Sequence, residues 1–141
     1  MNAIERLRKE VTTPSGLAPL RVLAASGQLG YGVPDAAFNA GLGRKPHLIG
    51  ADMGSIDTGP YYLGAGKMAT AESITRVDLR KLMLGARRLD IPLMIGTAGC
   101  AGAAPHLDAT LAMVRDIARS EGLRFRLASI RADMQIGRAH V

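Results

Sequence analysis

Apolar residues follow two alternating rhythms along the chain. Short, mostly apolar runs, "LRVLAAS" at 20–26, "HLIGA" at 47–51 and "IPLMIGTA" at 91–98, have the length of strands. The last carries no charge, as expected of a strand covered on both faces. Elsewhere the apolar positions recur every three or four residues, the spacing of one helix face. Ile74, Val77, Leu79, Leu82, Met83, Ala86 and Leu89 predict a helix over 71–89, and Leu107, Leu111, Val114 and Ile117 predict one over 107–121. Thr70 is the expected N-cap of the first, with Arg87 and Arg88 placed to offset its carbonyl end. Gly122 suits a left-handed stop for the second. Pro34 and Asp35 open a shorter helix to about residue 42, since proline fits a first helical turn. A short helix over 4–11 and a fourth strand, "RFRLASI" at 124–130, complete the reading.

Strand, loop and helix thus repeat three times before a last strand. That order implies an open, mostly parallel α/β sheet, a Rossmann-like layer with right-handed crossovers. Residues 1–19 form an N-terminal extension and 20–134 the α/β domain. In such sheets the loops leaving the strands gather at the carboxyl edge, where ligands bind. Here those loops are 26–33, 51–67 and 96–106, all glycine-rich, and they are expected to converge.

Glycine lets a backbone approach a ligand closely, and the first amides of a helix attract anions. Gly27, Gly30, Gly54, Gly99 and Gly102 are therefore candidate ligand-binding positions, joined by Ser55, Tyr61 and Lys67. Named phosphate motifs are absent. Gly66 and Lys67 supply the Gly-Lys of a P-loop, but Tyr61 stands where its first glycine belongs and Met68 where its hydroxyl belongs. The spacing of Gly27, Gly30 and Gly32 reverses the dinucleotide fingerprint.

Asp52 ends the second strand, Asp57 follows five residues on, and His106 opens the last helix. Together they could perform general acid/base work, and they are the candidate catalytic residues. A metal among them stays open, and no cofactor is assigned. Plainer roles compete: Asp57 as a turn former, Asp108 as a helix-dipole partner, His106 as a cap, Lys67 as a solvated cation. One of Tyr61 and Tyr62 is expected to pack the loop down. Cys100 reads as a small buried residue and His47 as structural.

A net charge of +6, from 18 basic and 12 acidic residues, favours an anionic partner. The basic residues are scattered and no aromatic run accompanies them, so nucleic acid is not expected. No segment has the length and apolarity of a membrane span, and the charged N-terminus lacks the apolar core of a secretory signal. A single cysteine fits a reducing compartment, and the cytoplasm is the expected location.

The chain ends in "IGRAHV". A common sequencing-library adapter encodes that string as ATC GGA AGA GCA CAC GTC, and its two preceding bases complete the codon of Gln135. Residues 135–141 are read as adapter translation, so the native protein is expected to continue past Met134.

The string "GADMGSIDTGPYYLGAGK" (50–67), with "ASGQLGYG" (25–32) and "IPLMIGTAGCAGAAPHL" (91–107), resembles the N-terminal domain of AtuA-like acyclic terpene utilisation proteins. The similarity runs from about residue 20 to 133. It implies a longer cytoplasmic bacterial protein of branched-terpenoid catabolism, a route carried on acyl-CoA thioesters. The expected ligand is then a small acidic metabolite or acyl-CoA. The resemblance assigns no reaction and no catalytic residue. A non-catalytic binding or scaffold module, a generic nucleotide-binding domain, and a homo-oligomer or pathway-enzyme partner stay open.

Overall fold

The structure, a computed structural model, describes residues 2–12, 19–54 and 58–133. Helix α1 (Ala3–Thr12) starts from a reciprocal cap: the Glu5 amide donates to Asn2 Oδ1 at 2.9 Å, and the Asn2 amide to Glu5 Oε2 at 3.0 Å. Strand β1 (Val22–Gln28), helix α2 (Asp35–Gly43) and strand β2 (Leu48–Asp52) follow. Next come a short helix α3 (Tyr61–Ala65), the long helix α4 (Glu72–Leu89) and strand β3 (Leu93–Gly96). A 3-10 turn (Ala98–Cys100) leads into helix α5 (Ala104–Ser120).

The three strands are parallel in the order β1-β2-β3, which confirms a small open parallel α/β sheet. Because order in space follows order in sequence, right-handed crossovers put α2 and α4 on one face. Leu23, Ile49 and Leu93 lie in register on that face and pack with Leu79, Leu82 and Ile117. Opposite them Ala24, Gly50 and Met94 line the other face, where Met94 is 61% exposed. The expectation that the third strand is covered on both faces is thus corrected: among the described residues helices blanket one side only.

Three further expectations change. Ala71, not Thr70, sits at the N-cap of α4 and makes no side-chain cap bond, while the Thr70 hydroxyl lies 2.8 Å from that of Thr75. Ile74 and Val77 are exposed, whereas Thr75 and Asp78 are buried in their stead. The helix is turned so that its first half serves the loop after β1 rather than the apolar core. Finally, 124–130 is exposed and forms no strand. Gly122, at φ 64°, stops α5 as expected: the Leu123 amide reaches the Ala118 carbonyl at 2.8 Å, a Schellman closure. The chain then runs back to Gly102, whose carbonyl accepts the Ala132 amide at 3.2 Å. With that sheet face bare, the alternating Phe125 and Leu127 find no surface to bury, and burial is what fixes a strand's register.

Candidate functional site

The strands end level with one another. Gln28, Asp52 and Gly96 are register partners, so the three following loops leave from one line. Backbone bonds zip them together there. The Leu29 amide donates to the Asp52 carbonyl at 2.8 Å and the Met53 amide to the Gly96 carbonyl at 3.0 Å. Asp52 terminates the central strand with its side chain exposed. Its Oδ1 accepts the Gly54 amide at 3.0 Å and the Thr97 hydroxyl. Among the described residues Oδ2 accepts no hydrogen bond. Thr97 adopts φ 46°, ψ 40°, a left-handed conformation costly for a β-branched residue, and in that conformation its hydroxyl binds the carboxylate.

The loop after β1 is already holding an anion, and the anion is the protein's own. The carboxylate of Asp78, 2% exposed, accepts three amides: Gly30 at 2.9 Å and Gly32 at 3.0 Å on Oδ2, and Val33 at 3.0 Å on Oδ1. The expected ligand-binding amide of Gly30 is therefore committed internally. A Cβ on Gly30 would also come within 2.6 Å of Thr70 Oγ1 and 2.8 Å of Thr75 Oγ1. Gly27 is exposed, with open space around it. Sequence reasoning missed Asp78, yet it left a signal: a carboxylate set directly beside Leu79 in the inward half of an amphipathic helix.

The other two loops are built around His106. It is fully buried, and Nε2 lies 3.1 Å from both the Tyr62 and Lys67 carbonyls. Carbonyls only accept, so Nε2 carries the proton. Among the described residues Nδ1, buried, has no partner, and no hydrogen bond joins His106 to Asp52. The imidazole thus pins α3 and the segment after it to the start of α5. Pinning the Lys67 backbone leaves its side chain exposed, and among the described residues its ammonium has no ion-pair partner. Tyr62 is half-buried and Tyr61 is 67% exposed, the rings meeting edge-on at 5.2 Å and 83°. One tyrosine packs the loop and the other faces solvent.

Gly54 touches the next loop so closely that a Cβ would collide with the Cys100 carbonyl oxygen. Gly99 lies against the His106 backbone, and Gly102 against Ala132. These glycines let loop pack on loop. Cys100 is buried, and Asp108 is exposed beside Arg131 at 3.5 Å. His47 lies at the far edge, where its Nδ1 accepts the Arg21 amide at 2.9 Å. Ser55 and Asp57 lie outside the described residues. Among the described residues no His, Cys, Asp and Glu cluster could hold a metal, and no helix is long and apolar enough to cross a membrane.

Among the described residues, the carboxyl edge therefore offers the exposed Asp52 carboxylate held by two donors, the exposed Lys67 ammonium and the exposed tyrosines Tyr31 and Tyr61. Compared with family models, curated proteins and solved structures, the chain matches none.

Proposed function

We propose that the carboxyl edge of the sheet binds a small acidic metabolite or an acyl-CoA, as the N-terminal part of an AtuA-like acyclic terpene utilisation protein in the cytoplasm. One observation carries the ligand-binding part: Asp52 stands exposed at the end of the central strand, with the glycine loops bonded around it. Strand ends of parallel sheets are where ligands bind, and a side chain fixed through one oxygen keeps the other for a ligand. Lys67 supplies the charge for an anionic group, and Tyr61 an apolar face with a polar tip. Proton transfer, where it occurs, falls to Asp52. His106 holds the loop that carries Lys67.

A second reading follows from the separation of Asp52 and His106. Among the described residues no acid–base pair stands at the edge, and on this reading the domain binds its ligand and leaves turnover to a partner enzyme. Titrating the 141-residue chain with CoA, a branched acyl-CoA and the free acid, read by thermal shift, addresses both. A ligand at 100 times its dissociation constant adds about 2.7 kcal/mol of stability. The shift should vanish in Lys67→Gln and change in Asp52→Asn. Equal shifts in both variants and wild type would remove the edge as the site. Binding without conversion of the acyl-CoA would select the second reading.

A further inference from the structure

A cavity of about 230 Å³ opens at the opposite, amino edge of the sheet, lined by Arg6, Arg21, Lys45, His47, Leu89 and Asp90 among others. Its cations come from separate parts of the chain: Arg6 from α1, Arg21 from the approach to β1, and Lys45 from the turn between α2 and β2. Arg6 is spent on Asp90, donating to its carbonyl at 2.6 Å and to its carboxylate. Arg21 Nε donates to the Lys45 carbonyl at 3.1 Å, and its Nη2 lies 3.4 Å from His47 Nε2. Among the described residues, neither Arg21 nor Lys45 has a carboxylate partner. Lys45 is held at φ 51°, a conformation lysine rarely takes.

Cations at this edge have an ordinary use, because α2 and α4 end here and each carbonyl end carries about half a negative charge. That use is too small for the charge present. Among the described residues, two helix ends and Asp90 together offset about two of the three cations lining the cavity, and Arg87, bonded to Asp90, adds a further positive charge beside it. We propose that this cavity binds a small oxyanion, the carboxylate or phosphate group of a metabolite, between Arg21 and Lys45. Guanidinium and ammonium donors suit either group. The site is separate from Asp52, at the other end of the strands.

Inorganic phosphate and succinate, each titrated at constant ionic strength against chloride, distinguish the two head groups. Either oxyanion should raise the melting temperature of the 141-residue chain where chloride does not. Lys45→Gly removes the charge and suits the left-handed backbone, so it should fold at least as well as wild type while losing the oxyanion shift. Arg21→Gln should lose it too, and Arg131→Gln, beside Asp108 at the far end of α5, should keep it. No shift with either oxyanion overturns the proposal. So does a shift equal to that of chloride, or one that survives in Lys45→Gly and Arg21→Gln.

Discussion

Asp78 Oδ2 lies 2.9 Å from the amide nitrogen of Gly30, and the same carboxylate holds Gly32 and Val33. A glycine-rich loop that looks built to cradle a ligand is folded around a buried side chain from α4. Hydrogen bonds to a charged group contribute about 1.5–3 kcal/mol, and a donor left buried without a partner costs about 1–3 kcal/mol. Asp78→Ala strands three amides, so a urea melt should show a loss of about 3 kcal/mol or more. Asp78→Asn keeps one acceptor oxygen and turns an NH2 toward the remaining donors; its loss should be intermediate. A change below about 1 kcal/mol in the alanine variant would mean the clamp does not hold the loop.

His106 Nε2 bridges two carbonyls that lie five residues apart in sequence. His106→Phe keeps the bulk and removes the donor. Amide exchange over 61–67 should then accelerate by about tenfold, the equivalent of 1.4 kcal/mol, while the core of α4 and β2 keeps its protection. Uniform acceleration across the chain would show instead that His106 supports the whole fold and not this loop.

Sequence pattern reached the architecture because hydrophobic period reports which face is buried, and that survives without knowing the partner. The strands and main helices fall where the period puts them, give or take a few residues. It failed where polar residues are buried for a reason outside their own element. Asp78 occupies an inward position because the loop after β1 needs an acceptor, and nothing local to α4 says so; Thr75 is buried with its hydroxyl on Thr70 and the Ala71 carbonyl. It failed again at 124–130, where alternation was present but a covered sheet face was not. At the site, the position of Asp52 was legible from its place at a strand end. His106 was legible as important but not as buried, since its partners are backbone carbonyls of a loop 39 and 44 residues away.

Gly54 tests whether the carboxyl edge is one packed unit. A methyl group there meets the Cys100 carbonyl oxygen, a backbone atom, so no side-chain rotation relieves it. Gly54→Ala should cost about 1–3 kcal/mol by overpacking. Because Gly54 also donates to Asp52, the same variant should lose the acyl-CoA thermal shift of the proposed edge. A variant with wild-type stability would place the two loops farther apart than the structure has them.

Asp90 ties α1 to the body, and its carboxyl is held below the ordinary carboxylate value. The hydrogen bond from Arg87 is the largest cause and the charge of Arg6 assists, while partial desolvation opposes both. A carboxylate whose folded value is depressed stabilises the fold fully above its unfolded value and loses that contribution as pH falls through the folded one. The docking of α1 should therefore hold at neutral pH and weaken only in strong acid, below the ordinary aspartate range. Proteolysis within residues 3–12, followed as a function of pH with an acid-stable protease, should accelerate there and nowhere above. Asp90→Asn tolerates the left-handed backbone at φ 51° and has no charge to lose. It should show fast cleavage at every pH, with the acid step gone. Because these groups are exposed, added salt should narrow the difference between the two proteins. An acid step that persists in Asp90→Asn would assign the pH dependence to another carboxylate.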